Sequence, residues 1–128
     1  MEAAVETVTV TESIETTTTS SKATCRAGVG ALLQSEQDLW TRLKVGVVHD
    51  YYVNAVGDLS VQASRIGPIT DPECVEVRRQ LRGAILYFDR ADYNWGSPAP
   101  SAVRERNFNW QTAHARIEKG KQLLAAMG

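Results

Sequence analysis

The two histidines are the side chains best suited to acid–base or metal chemistry in this sequence. His114 and Glu118 are four residues apart, so on a helix they share a face and could ligate a metal ion together. His49 precedes Asp50, but neighbouring helical residues point apart and no Ser or Cys nucleophile is placed with the pair. Two ligands do not make a metal site. We therefore expect an ordinary i, i+4 pair, no metal or cofactor, and no enzymatic activity.

The two cysteines, Cys25 and Cys74, have two interpretations. One pair is too few to indicate a disulfide framework, which favours reduced thiols in the core. If the chain turns back near Gly46, however, both would lie at the same end of the molecule, and a disulfide is geometrically possible. Localisation therefore stays unknown. No apolar run long enough to span a bilayer and no intact signal peptide is visible in the sequence.

The charged side chains do not predict a nucleic-acid partner. The net charge is −1, and acidic residues are interleaved with the arginines. We expect pairing within helices to account for the arginines that could otherwise form a basic patch: Arg78, Arg79, Arg82, Arg104, Arg106 and Arg116. Arg106 is unusual because it falls within an apolar stripe, where it must extend past the end of the bundle or pair with a carboxylate.

A second set of apolar residues lies off the main helical stripes and is the strongest functional signal in the sequence. Its members on two helices are Val75, Leu86, Tyr87, Phe108 and Leu123. Apolar groups on the outer side of a bundle indicate a protein contact. The alternative is that another helix of the same chain covers them.

The elements that position these residues are amphipathic helices. The clearest spans 71–93, with Asp71 as N-cap and Pro72 at the first helical position. Apolar spacing predicts further helices over 26–44, 50–66 and 101–127, with Asp50 and Ser101 as N-caps. The stripes of the first two differ in phase by roughly 140°, which predicts a break at 44–49 around Gly46. One long helix is the competing interpretation.

Residues 1–24 differ in composition from the rest of the chain. They are rich in Thr, Ser and Glu and carry a charge of −3, whereas the remainder carries +2. Few large apolar side chains are present to offset the entropy of ordering. The sequence therefore predicts a flexible polar arm over 1–24 and a helical domain over 25–128. The fold class is all-α, an antiparallel up-and-down bundle of three to four helices with a disordered N-terminal arm.

Two segments, LRGAILYFD (81–89) and QLLAAMG (122–128), loosely resemble the PsbQ-type extrinsic proteins of photosystem II. That resemblance implies a four-helix bundle that docks on a membrane complex from the lumen. The sequence as a whole predicts a non-enzymatic subunit or adaptor that docks on a larger protein assembly through its outer apolar surface and N-terminal arm. A luminal photosynthetic subunit and a small inhibitor or immunity-type regulator are the alternatives. Self-assembly is possible, whereas direct membrane insertion is not expected.

Overall fold

The computed structural model describes residues 2–127, with side chains from Ala23 onward. The predicted fold class, an antiparallel all-α bundle, is confirmed, and 2–127 contain no strand. The predicted arm lies outside the residues with described side chains, except for Ala23 and Thr24. In chain order the helices are α1 (Glu2–Val45), α2 (His49–Ser64), α3 (Pro72–Asp92) and α4 (Pro100–Ala126).

The break between the first two helices is confirmed, and the interpretation as one long helix is wrong. Helix α1 ends at Val45, and α2 begins at His49 after a three-residue connection. Gly46 has a φ of +115°, a region that residues with a Cβ rarely adopt. Its N–H still donates to the carbonyl of Arg42 at 2.8 Å. The glycine thus ends α1 and reverses the chain, so that the two apolar stripes face one core.

Helix starts agree with the sequence in one case and differ in two. Asp71 caps α3 by accepting a hydrogen bond from the backbone N–H of Glu73 at 3.0 Å, and Pro72 opens the helix as predicted. The caps predicted at Asp50 and Ser101 are wrong, because α2 and α4 begin earlier and neither has a side-chain cap. At α4 the reason is Pro100, whose fixed φ suits the first turn.

The core is built around α3, which contributes Val77, Leu81 and Phe88 among its fully buried side chains. Gly120 lets α4 approach α3 closely, since a Cβ added there would lie 2.7 Å from Leu81 Cδ2. Gly28 of α1 likewise lies close to Ile66, since a Cβ added to Gly28 would be 3.3 Å from Ile66 Cγ1. The absence of a side chain at these two glycines therefore allows both close contacts.

A disulfide between Cys25 and Cys74 joins α1 to the beginning of α3. The two Cα atoms are 6.4 Å apart, and both side chains are buried. This is the alternative that depends on a chain reversal near Gly46, since only then do the two cysteines reach the same end of the bundle. The expectation of two reduced thiols is therefore not what the structure contains.

Candidate docking surface

The five predicted interaction residues differ in exposure. Leu86 and Phe108 are exposed, with 48% and 63% of their surface accessible. Val75 is half-buried, and Tyr87 and Leu123 pack against the core. Leu86 opens into a groove between α2 and α3, lined also by Ser60 and Ala63. The predicted set thus divides between open surface and the margins of the core.

Two of the three most exposed apolar side chains of the described residues lie at the turn between α1 and α2, which the sequence prediction did not select. Val45 is 88% exposed and Val48 is 72% exposed. Tyr51, one turn into α2, is 40% exposed and has the Arg42 guanidinium over its ring at 5.3 Å. Turns are ordinarily rich in polar residues and glycine. An exposed apolar turn is therefore the most unusual feature of this surface.

A groove between α1 and α2 leads to this turn. Its main part has a volume of about 640 Å³ and includes the carboxylates Asp38 and Asp58, one from each helix. A second part of about 340 Å³ lies beneath the turn. Both parts share Thr41, Arg42 and Tyr51, so they form one continuous groove. It offers acidic groups along its length and valines at its end.

The turn is held in place by contacts that the sequence did not predict. His49 Nε2 makes a hydrogen bond with Asp92 Oδ1, at the end of α3. The His49 ring also stacks on Trp95, with 4.9 Å between ring centroids. Trp95 therefore folds back from the α3–α4 connection onto the core. These contacts join the α1–α2 turn to the α3–α4 connection.

Beneath them, Tyr52 is fully buried and uses its hydroxyl twice. It donates to the carbonyl of Phe88 and accepts the Trp110 indole N–H at 3.0 Å. Burial is the main cause that raises the pKa of Tyr52 above its ordinary value, so the hydroxyl stays protonated. The phenol thus connects α2, α3 and α4 directly behind the exposed turn.

Of the six arginines expected to pair within helices, only Arg79 does so among the described side chains. Arg78 donates to the carbonyl of Gly67 at 2.8 Å, and Arg79 pairs with Glu76 at 3.2 Å. Arg106 was expected to extend past the end of the bundle or to pair with a carboxylate, and it does neither. Its guanidinium lies over the Trp110 ring, 5.1 Å from the centroid. Stacking on an aromatic face is favourable for a guanidinium without a carboxylate partner.

The predicted i, i+4 pair is present on α4. His114 Nε2 lies 3.4 Å from Glu118 Oε1. The imidazole also stacks on Trp40 of α1, with 4.3 Å between centroids and 10° between planes. No group of three or more His, Cys, Asp or Glu side chains suited to a metal ion occurs in the described part of the chain. Nor does any helix there have the length and hydropathy to cross a bilayer.

Glu36 is a buried acidic residue that the sequence analysis did not place in the core. Glu36 of α1 has no exposed surface, and neither carboxylate oxygen has a hydrogen-bonding partner. Desolvation by burial raises the pKa of Glu36 from 4.5 to about 9. A signal was available, because position 36 lies one turn from Leu32 and Trp40 on the predicted apolar face. Spacing alone therefore places Glu36 in the core, against the usual location of its residue type.

Comparison with known proteins does not assign the chain to a family. No family model, curated protein or solved structure matches it. The likeness to PsbQ-type proteins stays a prediction. The functional argument therefore depends on the geometry of this molecule.

Proposed function

We propose that the protein is a non-enzymatic helical subunit that docks on a larger protein assembly through its α1–α2 turn and the adjoining groove. The observation that carries the proposal is the exposure of Val45 and Val48 at that turn. Burying two such side chains against a partner favours association by about 1.5–3 kcal/mol each. The contacts of His49 with Asp92 and Trp95 support it, because they hold the turn in one conformation before binding.

The chemistry of the groove indicates the kind of partner. Asp38 and Asp58 line its main part, and Asp58 has no hydrogen-bonding or ionic partner among the described side chains. A protein segment that fits would place apolar side chains over the valines and a lysine or arginine opposite the two carboxylates. Charge complementarity of this kind steers association and fixes the orientation of the partner. The polar residues 1–24 are a second candidate contact, as the sequence predicts.

Site-specific cross-linking tests the proposal. A photo-reactive amino acid is placed at position 48, and a matched one at the exposed position 104 on α4. In extract from the source cells, we expect position 48 to yield a discrete cross-linked protein that position 104 does not. A cross-link between two copies of this chain, checked by light scattering, would instead show self-assembly and reject the proposal of a separate partner.

Titration of the identified partner then measures the contribution of the turn. We expect the double variant Val45→Ser/Val48→Ser to bind at least tenfold more weakly, because the apolar area buried is smaller. Val61→Ser is the matched control, since Val61 is 46% exposed on α2 away from the turn. Equal affinity of the double variant and the wild type would contradict docking through this end of the bundle.

The Cys25–Cys74 disulfide favours one form of this proposal, in which the assembly lies in an oxidising compartment. An extrinsic luminal subunit of a photosynthetic membrane complex, as the resemblance implies, is such a case. Trapping thiols with an alkylating reagent during cell lysis tests this form. Oxidised cysteines together with a photosynthetic cross-linking partner would support it. Reduced cysteines in the cell, or a partner from the cytosol, would reject the compartment but leave docking through the turn intact.

A further inference from the structure

A third groove lies between α1 and α4, on a side of the bundle that the proposed docking surface does not use. It has a volume of about 310 Å³, near the lower limit for small-molecule sites. Its floor consists of two half-buried indoles and an aliphatic side chain, and its rim carries amides and an ammonium group. The lining residues are Trp40, Leu43, Lys44, Asn107, Trp110 and Gln111.

The two indoles are held in fixed orientations. Trp40 is stacked on His114, whose other contact is to Glu118 on the same helix. Trp110 donates its N–H to Tyr52 at 3.0 Å, which fixes the rotation of the ring. Aromatic walls that are positioned before binding lose little conformational entropy when a ligand arrives. The groove is therefore preorganised for a flat, apolar group.

The two charged side chains that lie over the indoles of the groove are cations. Lys44 Nζ lies 5.8 Å from the centroid of Trp40, and the Arg106 guanidinium lies over Trp110. Neither cation forms an ion pair with a carboxylate among the described residues, and no acidic residue lines the groove. The nearest carboxyl on the same face of α1, Glu36, is buried one turn away. Burial raises the pKa of Glu36 to about 9, so this carboxyl is neutral at pH 7.

Two N–H donors beside the groove have no acceptor. Trp40 Nε1 and Arg106 Nε are both buried without a hydrogen-bonding partner in the part of the chain with described side chains. Leaving a buried donor unpaired costs about 1–3 kcal/mol. Both atoms are buried inside the protein, so a ligand in the groove contacts neither of them without a local rearrangement. A ligand of the groove is therefore indicated by the lining residues and by the two cations, not by these donors.

From these features we infer that the α1–α4 groove binds a small planar aromatic anion. Its ring system would lie against Trp40, Trp110 and Leu43, and its carboxylate or sulfonate would accept hydrogen bonds from Lys44 and the amides at the rim. Burial of the ring would supply most of the affinity, and the cations would select a negative charge.

Nuclear magnetic resonance with 2-naphthoate tests this site directly. The chain has three tryptophans, so a ¹⁵N-labelled sample gives three indole N–H signals. We expect 2-naphthoate to shift the Trp40 and Trp110 signals saturably, while the Trp95 signal moves less because Trp95 does not line the groove. Shifts spread equally over all three indoles, or no saturable shift at millimolar 2-naphthoate, would overturn the proposal.

Charge selection is tested by calorimetry with 2-naphthoate and the neutral 2-naphthylmethanol. We expect Lys44→Gln to weaken 2-naphthoate binding about fivefold and to leave 2-naphthylmethanol binding unchanged, because an exposed ion pair is of that strength. Lys121→Gln is the matched control, since it removes the same charge from an exposed position of α4 outside the groove. Equal 2-naphthoate affinity of wild type, Lys44→Gln and Lys121→Gln would reject selection for an anion.

Discussion

Glu36 and Trp40 lie one turn apart on the inner face of α1, and neither the carboxyl oxygens of Glu36 nor the indole N–H of Trp40 has a hydrogen-bonding partner. Two successive turns of a core helix thus carry unpaired polar groups. Buried groups of this kind are destabilising, and they occur mainly where a function requires them. The carboxyl affects the pH dependence of folding.

We predict that Glu36→Leu stabilises the protein, by about 3 kcal/mol at pH 7. In the unfolded chain the carboxyl titrates near 4.5, whereas burial raises the pKa of Glu36 in the folded protein to about 9. Below pH 4.5 the carboxyl is protonated in both the folded and the unfolded chain, so its titration does not change stability there. Between pH 4.5 and 9 the wild type loses up to about 1.4 kcal/mol per pH unit relative to the variant.

Urea unfolding from pH 4 to 9 measures this difference. Glu105→Leu is the matched control, because Glu105 is exposed on α4. We expect its stability to run parallel to that of the wild type, whereas the Glu36→Leu curve diverges with rising pH. If the difference between Glu36→Leu and wild type were the same at pH 4 and pH 8, the carboxyl would not be titrating as its burial requires.

The disulfide gives the second prediction. Cys25 and Cys74 are 49 positions apart in sequence, so the bond restricts a long loop of the unfolded chain. Removing a crosslink over a loop of this length costs about 4 kcal/mol. We expect the double variant Cys25→Ser/Cys74→Ser to melt roughly 15 °C below the oxidised wild type.

Thermal unfolding with and without a phosphine reductant checks this prediction. After denaturation and refolding in reductant, the wild type should melt near the temperature of the double variant, which itself should not respond. A wild-type melting temperature unchanged by full reduction, verified by thiol titration, would show that the crosslink contributes no stability.

The helices could be predicted from sequence because each has its own apolar periodicity. The break at Gly46 followed from the phase difference between two stripes, and the start of α3 followed from Asp71 and Pro72. Features that depend on two distant segments could not be predicted in this way. The contact of His49 with Asp92 joins positions 43 residues apart, and nothing in local spacing specifies it.

The surface was harder to predict than the core for a related reason. Periodicity separates an inner stripe from the remaining positions, but it does not tell open surface from the margin of a helix pair. Tyr87 and Leu123 lie off the main stripes and still pack against the core, whereas Leu86 is exposed. Val45 and Val48 fall within the predicted break at 44–49, where spacing gives no inner or outer face. Their exposure became evident only from the structure.

Close packing of α3 on α4 gives a third prediction. A Cβ at position 120 would lie 2.7 Å from Leu81 Cδ2, which forces Leu81 or the helix backbone to move. We expect Gly120→Ala to destabilise the protein by about 1–3 kcal/mol, despite the better helix propensity of alanine. Gly57→Ala is the matched control in α2, where nothing lies within 4 Å of the new Cβ.

Chemical denaturation of the two glycine variants distinguishes packing from propensity. Gly57→Ala should stabilise by about 0.5–1 kcal/mol, since only backbone entropy and propensity change. The prediction is that the two variants change the free energy of unfolding in opposite directions. Should both glycines give the same stabilisation on replacement, the close approach of α4 to Leu81 would be wrong.

The Tyr52 hydroxyl gives the last prediction, because it is buried, donates to the Phe88 carbonyl and accepts from the Trp110 indole. Tyr52→Phe keeps the ring but leaves the indole N–H without an acceptor, which costs about 1–3 kcal/mol. Tyr51→Phe removes a hydroxyl from the neighbouring, exposed position and should change stability by less than about 0.5 kcal/mol.

Equilibrium unfolding followed by tryptophan fluorescence measures both variants. The Trp110 indole N–H resonance, which should move in Tyr52→Phe and stay in place in Tyr51→Phe, links any loss of stability to this hydrogen bond. A Tyr52→Phe variant as stable as wild type, with that resonance unmoved, would show that the hydroxyl does not connect α2 to α4.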